Sequence, residues 1–174
     1  MGIQFETDYN METLTAMAKS LRKTVRKKRS RRVHIFAAVV LVLGLLTILA
    51  TVAGGEPLGA SGVVTLLAML VVILVSLFED KLNAWFARKR LLPGTEHAVA
   101  TFEEDGYVSA TSMSESKFSY AQIVAVAETA RYFVFALSSH HTQAYDKRTI
   151  RGGSVEDFRA FIAEKTGKLV ENIK

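Results

Sequence analysis

Two long apolar stretches stand close together in the first half of the chain. They cover residues 33–53 and 58–78, and neither contains Asp, Glu, Lys or Arg. At 1.5 Å per residue, about 20 helical residues cross the ~30 Å apolar core of a bilayer. The pattern therefore predicts a hairpin of two membrane-spanning helices, joined by the short loop 54–57.

The residues before this hairpin alternate and then become periodic. Apolar and polar side chains alternate over residues 3–7, which predicts a short half-buried strand. Asn10 is a candidate helix cap. After it, apolar residues at three- and four-residue spacing predict one apolar face on an otherwise basic helix. This apolar stripe consists of Leu14, Met17, Leu21 and Val25. Two interpretations remain open: the stripe docks on a folded domain, or it lies among lipid headgroups. We expect the helix itself to continue into the first span.

The residues after the hairpin change from helical to strand-like patterns. Residues 79–92 extend the second helix until Pro93-Gly94 breaks it. Short alternating runs then predict strands at 98–102, 107–111, 117–120, 123–128, 132–137 and 142–145. The first two of these strands flank an Asp-Gly turn signal at residues 105–106.

A C-terminal helix is predicted after these strands. Ser154 and Asp157 have the spacing of a capping box, and Gly167 suits the position just past the helix end. The apolar face of this helix contains Val155, Phe158, Phe161 and Ile162. The predicted fold class is membrane α+β, with a transmembrane hairpin and a small strand-rich domain closed by this helix. The predicted divisions are 1–32, 33–92 and 93–174.

The distribution of basic residues predicts how the hairpin is oriented. Nine Lys or Arg residues fall within 19–32 and four within 81–90, whereas the loop 54–57 has none. Since basic flanks stay cytoplasmic, both termini are expected in the cytoplasm. The basic run directly adjoins a membrane segment, so topology and anionic lipid account for it, and no nucleic-acid partner is expected.

Candidate catalytic and metal-binding residues are few. The chain has no cysteine, and adjacent side chains such as His140 and His141 point to opposite faces of a strand, so they do not chelate one metal together. The acidic residues 103–105 lack the spacing of a calcium loop, and Gly152-Gly153 lacks the lysine of a phosphate loop. We therefore expect no catalytic, cofactor or metal site, and no enzyme. The apolar runs hold no Asp, Glu, Lys or Arg of the kind that marks a transport path, and their one histidine, His34, sits at one end.

Two basic clusters are the candidate contacts for an anion or a lipid headgroup. They comprise Lys147, Arg148 and Arg151 in the strand-rich domain, and Arg26, Lys27, Lys28 and Arg29 before the first span. Small or weakly polar residues also recur inside the spans, at Ala37, Gly44, Thr51, Thr65 and Ser76. Such residues let helices approach closely, either within the hairpin or between copies of the chain in a homo-oligomer.

Several short motifs resemble one protein family. They are Phe118-Ser119-Tyr120, the aromatic run 132–137, Lys147-Arg148, and Gly153-Ser154 leading to Phe158. Together with the order of elements, these motifs resemble the YcxB-like family of bacterial membrane proteins. In that family a proline often precedes the basic pair. In this chain the residue before Lys147-Arg148 is Asp146 instead. The resemblance implies a pleckstrin-homology-like domain, and it supplies no catalytic or ligand-binding residue.

These observations lead to one functional expectation and two alternatives. The expected function is that of a non-enzymatic protein of the bacterial inner (plasma) membrane, presenting a small cytoplasmic domain to a protein or lipid partner. The first alternative is a homo-oligomeric structural or pore-like assembly. The second is an immunity or stress factor that protects the membrane from a peptide toxin.

Overall fold

The computed structural model describes residues 2–174, which form two compact units. One unit combines the residues up to Lys27 with Asn83–Lys174, and the other is Lys28–Leu82. Chain segments from both ends of the sequence therefore build the first unit. The predicted divisions at residues 32 and 92 stay predictions.

The unit Lys28–Leu82 contains two apolar helices that are long enough to cross a membrane. Helix α2 covers Lys27–Ala53 and α3 covers Ala60–Leu77, or about 40 and 27 Å at 1.5 Å per residue. A Cβ added at Gly44 of α2 would lie 2.8 Å from Met69 Sδ of α3, so the glycine allows the close approach. At the ends of the hairpin remote from the loop 54–57, His34 Nε2 lies 3.7 Å from Glu79 Oε2. Helix α4, Glu79–Lys89, follows α3 and ends before the predicted residue 92.

The other unit contains two four-stranded sheets. The first has the order β1-β2-β3-β4, formed by Ile3–Asp8, His97–Phe102, Tyr107–Thr111 and Glu115–Phe118. The second has the order β7-β6-β5-β8, formed by Thr142–Asp146, Tyr132–Ala136, Ala125–Glu128 and Val170–Asn172. All neighbours are antiparallel except β5 and β8, which are parallel. The predicted strand-rich domain is thus confirmed at the level of two sheets and a C-terminal helix.

Strand β1 is paired along its whole length although it precedes both apolar helices. It runs antiparallel to β2, from Ile3 opposite Phe102 to Asp8 opposite His97. Its alternation places Ile3, Phe5 and Thr7 inside, with Phe5 completely buried. The predicted N-terminal strand is confirmed, and its partner is the first strand after the hairpin.

Aromatic side chains fill the space between the two sheets, and helix α5, Val155–Thr166, closes it. The ring of Phe158 lies 4.7 Å from that of Phe5, 4.8 Å from Phe102 and 5.0 Å from Phe133. The predicted capping box is present, since Ser154 Oγ accepts from the Asp157 amide at 3.0 Å. Gly167 ends the helix in the left-handed conformation, with φ 63°.

Helix α1, Met11–Lys23, packs on the outer face of the second sheet. Met17 contacts the cluster that contains Tyr132 and Val134, while Thr13 Oγ1 donates to Tyr132 Oη at 3.1 Å. Of the two interpretations of its apolar stripe, the structure confirms the first: the stripe packs on the strand-rich domain. The expectation that this helix continues into the first span is wrong: the chain leaves the helix at Thr24, with φ −104° and ψ −95°. The Arg26 amide then donates to the Leu21 carbonyl at 2.9 Å and closes a turn before α2.

In the strand-rich region one predicted strand needs correction and one strand was not predicted. Tyr120 does not end a strand but begins a single 3-10 turn, Tyr120–Gln122, capped by Ser119. Its hydroxyl donates to the Glu103 carbonyl at 2.6 Å, and this bond to the β2–β3 turn draws the side chain inwards. The strand before it, β4, consequently begins earlier, at Glu115. The C-terminal strand β8 was not predicted.

Candidate functional site

The inner face of the first sheet changes from large to small side chains along its strands. At one end, Phe102 and Tyr107 stack at 4.9 Å, and Tyr107 stacks on Phe118 at 5.1 Å. The next cross-strand row on the same face consists of Ala100, Ser109 and Ser116. Since these small side chains do not fill the interior, a cleft of about 400 Å³ opens at this end of the sheets.

The cleft has one apolar wall and one polar wall. Helices α1 and α4 with the residues that follow form the apolar wall, through Leu14, Met17, Ala87 and Leu91. Hydroxyl side chains of β3 and β4 and the histidines of the β6–β7 turn form the polar wall. A second cleft of about 370 Å³ shares Leu14, Met17 and Ala87 and continues to Leu21 and Phe86. Its lining also includes Asn83, Arg26 and Arg90. The two clefts together form one groove, with the second as its extension.

Gln143 is the most deeply placed polar residue of the cleft. It is 7% exposed, and its Oε1 accepts from Tyr107 Oη at 2.7 Å and from Tyr145 Oη at 2.8 Å. Burial raises the pKa of both tyrosines above its ordinary value, which is itself well above neutral pH, and both hydroxyls are therefore protonated donors. With both acceptor positions of Oε1 occupied, the amide Nε2 is the group left to face the cleft. Within residues 2–174, the structure gives Nε2 no hydrogen-bond partner.

The remaining polar side chains of the cleft are mainly neutral donors. Ser109 and Ser116 face each other across β3 and β4, and neither hydroxyl has a hydrogen-bond partner in the described chain. Among the described lining residues there is no Asp, Glu, Lys or Arg. The arrangement suits binding of a ligand that accepts hydrogen bonds.

The predicted basic cluster of the strand-rich domain lies on carboxylates of the same domain. Lys147 Nζ is 2.9 Å from Glu128 Oε1, Arg148 Nη2 is 3.0 Å from Asp146 Oδ2, and Arg151 Nη2 is 3.1 Å from Glu6 Oε1. Hydrogen bonds from Arg159 and then Lys147 outweigh burial and lower the pKa of Glu128. All three cations are paired with carboxylates of their own domain, and their contact with an external anion stays a prediction.

The predicted basic residues before the first span do not act as one group. Arg26 Nε donates to the Ser139 carbonyl at 2.6 Å, and its Nη2 donates to His140 Nδ1 at 3.0 Å. Its side chain thereby holds the β6–β7 turn at the edge of the second cleft. Lys27, Lys28 and Arg29 are exposed at the start of α2, and their contact with lipid headgroups stays a prediction.

The sequence analysis did not predict the cleft, although the order of small and large residues on β2 and β3 indicates it. Inward positions alternate as Ala98, Ala100 and Phe102 on β2, and as Tyr107, Ser109 and Thr111 on β3. Small residues facing small residues across a predicted hairpin indicate an unfilled interior. For the metal sites weighed in the sequence, no group of three His, Asp or Glu residues within 2–174 is placed to hold an ion.

Comparisons with known proteins support one assignment. No curated protein and no solved structure matches the chain significantly. The family model described as YcxB-like protein matches residues 102–162. This range runs from the last residue of β2 to Ile162 of α5, and it includes Ser109, Ser116 and Gln143 of the cleft. The chain thus matches the YcxB-like family over residues 102–162, which confirms the resemblance that its sequence motifs indicate.

Proposed function

We propose that this is a non-enzymatic protein of the bacterial inner membrane, in which a two-helix anchor holds a pleckstrin-homology-like binding domain at the cytoplasmic face. The observation that carries the proposal is the pairing of β1 with β2 around the inserted helices. Strands that share backbone hydrogen bonds lie on one side of a membrane. The chain therefore crosses the bilayer an even number of times between Asp8 and His97, as two spanning helices require.

The side of the membrane follows from charge. Basic residues concentrate in the segments that flank α2 and α3, whereas the loop between the helices contains Glu56 and no Lys or Arg. Basic flanks are retained in the cytoplasm. This charge distribution supports a cytoplasmic location for the strand-rich domain and both termini, with residues 54–57 outside.

The arrangement of strands supports the pleckstrin-homology-like assignment. Strands β1–β4 form one sheet and β5–β7 belong to the other, and helix α5 follows and closes the core between them. In this interpretation α1 and the helical hairpin are inserted between the first two strands, and β8 is added at the edge of the second sheet.

Binding is favoured over the two alternatives because the strand-rich unit has a formed cleft. Clefts of ~300–1,000 Å³ with an apolar lining and a few polar groups are typical of ligand sites. Gly44, whose small size would permit contact between copies of the chain, lies against Met69 and Thr65 of its own hairpin. Its size is therefore explained without a homo-oligomer.

Photo-crosslinking in cells tests the binding role. A benzophenone amino acid at Leu91, on the apolar wall of the cleft, should form light-dependent adducts with a lipid or a protein. The matched control is the same amino acid at Glu164, an exposed position on α5. Adducts at residue 91 and none at 164 support the proposal. No adduct at residue 91, or equal labelling at both positions, contradicts it.

A further inference from the structure

We infer that the cleft binds a long-chain fatty acid, with the carboxylate at Gln143, Ser109 and Ser116 and the alkyl chain along the apolar wall. This inference rests on the binding role proposed above and names the class of ligand. It is carried by the match between unpaired donors on one side of the cleft and apolar side chains on the other.

The donors define the head of the ligand. Gln143 is held in place by the hydroxyls of Tyr107 and Tyr145, so its Nε2 cannot turn away to find another partner. This N–H is open to the cleft and has no acceptor among the described residues, so a ligand oxygen can take the place of water there. Ser109 and Ser116, on the facing sheet, can donate to the same ligand. A carboxylate has two oxygens that only accept, and it therefore satisfies these groups better than an alcohol does.

The charge of the lining distinguishes a carboxylate from a phosphate. A phosphate monoester carries a charge of about −1.5 to −2 and is usually bound by Arg or Lys. No such residue is found among the described lining residues of the first cleft, and no acidic residue there opposes a single negative charge. Neutral donors alone can stabilise one carboxylate charge.

The apolar wall defines the tail. Leu14 and Met17 of α1 lie opposite the hydroxyl wall, with Ala87 and Leu91 beside them. The second cleft continues this surface past Leu21 and Phe86 and adds length for an extended alkyl chain. Asn83, Arg26 and Arg90 also line it, and the Arg26 guanidinium is bonded to Ser139 and His140. A short carboxylate such as acetate would leave this wall in water. A long chain would cover it, and binding should therefore strengthen with chain length.

The sequence also supplies a source for such a ligand. Helix α1 leads into α2 through residues 24–26, and α4 follows α3 after Phe78. Both helices of the apolar wall are thus covalently joined to the helices that we propose to cross the membrane. The proposed anchor keeps the chain in contact with a lipid phase, and fatty acids dissolve in that phase.

The test uses the full-length protein in lipid nanodiscs and palmitate that carries a diazirine at its terminal carbon. After illumination, mass spectrometry should locate the label on α1 or on residues 87–91, and excess oleate should prevent it. Palmitate labelling confined to α2 and α3 would overturn the inference. If residue 91 gives protein adducts in cells while palmitate does not label the cleft, this inference fails and the proposed binding role stands.

Two sets of variants make the test specific. Ser109→Phe fills the cleft, whereas Ala110→Phe adds the same ring on the opposite face of β3. Labelling should be lost in the first variant and kept in the second. The double variant Ser109→Val, Ser116→Val keeps the shape but removes two donors, and it should weaken oleate competition by about tenfold. Labelling by Ser109→Phe at the wild-type level, or unchanged competition in the double variant, would overturn the inference. The double variant decides the matter if Ser109→Phe does not fold.

Discussion

Thr149 and Glu6 hold each other by two hydrogen bonds although 143 positions separate them. The Thr149 hydroxyl donates to the Glu6 carbonyl at 2.7 Å and accepts from the Glu6 amide at 2.9 Å. One side chain thus occupies both backbone groups of a residue in β1. The strand that precedes the apolar helices is thereby fixed to the segment that follows β7.

Replacing this threonine should destabilise the strand-rich unit. In Thr149→Val the shape is kept, but the amide and carbonyl of Glu6 lose their partner, which costs about 1–3 kcal/mol. We expect a lower melting temperature for the purified protein. Thr101→Val, which makes the same exchange on a neighbouring strand without such a pair of bonds, should change it little. Equal melting of wild type and Thr149→Val would show that the two bonds to Thr149 add nothing to the other contacts of β1.

The closing helix supplies the second stability prediction. Phe158 is fully buried against Phe5, Phe102 and Phe133, and removing such a ring typically costs ~3–5 kcal/mol. Phe158→Ala should therefore make the strand-rich unit sensitive to limited proteolysis while the apolar helices remain protected. Glu156→Ala, on the exposed side of the same helix, serves as the control. A protease-resistant Phe158→Ala protein would contradict the packing described here.

Glu128 should make stability depend on pH in the acid range. Its pKa is lowered from the ordinary value of 4.5 by hydrogen bonds from Arg159 and Lys147. A carboxyl with a lowered folded-state pKa stabilises the fold above its unfolded-state pKa, and this contribution is lost as the pH falls through the folded-state value. The melting temperature should therefore drop below about pH 4.5.

The control for this effect is a change of side chain. Glu128→Gln should melt lower than wild type at pH ~7, and the difference should shrink at pH ~3, because the wild-type carboxyl is then protonated. Glu164→Gln, at an exposed site, should follow the wild type throughout. A constant difference between Glu128→Gln and wild type across this range would exclude the ion pairs as its cause.

Packing of the apolar hairpin depends on Gly44. A Cβ there would already lie 2.8 Å from Met69 Sδ, so Gly44→Leu should separate α2 from α3 and lower the thermal stability of the detergent-solubilised protein. Ala38→Leu makes a comparable enlargement on the exposed side of α2 and should have little effect. A similar loss of stability in both variants would argue that the contact between α2 and α3 is not special.

Local features of the fold could be predicted from the sequence because their causes are local. The Asp-Gly turn brings β2 and β3 together, with the Glu103 amide donating to the Gly106 carbonyl at 2.9 Å. Ser154 and Asp157 form the expected capping box. The alternation of apolar and polar residues predicted the strand at Ile3–Asp8, but it could not predict that this strand pairs with β2.

Features that depend on distant contacts were missed or misplaced. Strand β8 is only three residues long, Val170–Asn172. It pairs with the edge of β5, and nothing in the sequence of β8 itself predicts that pairing. Tyr120 begins a turn that Ser119 and Gln122 cap, a local signal that was overlooked. Its hydroxyl also reaches the Glu103 carbonyl, a contact that arises only in the folded sheet. The cleft at Gln143 likewise depends on which small residues face each other across strands.

The most direct test of the central proposal is the sidedness of two engineered cysteines. The chain has no native cysteine, so Glu56→Cys in the loop between α2 and α3 and Met113→Cys in the strand-rich unit each provide one reactive site. Both positions are exposed, and both should react with a maleimide after detergent permeabilisation. In intact spheroplasts, a membrane-impermeant maleimide should label Glu56→Cys and leave Met113→Cys unlabelled. Labelling of Met113→Cys without permeabilisation would contradict a hairpin anchor that holds the paired strands β1 and β2 in the cytoplasm.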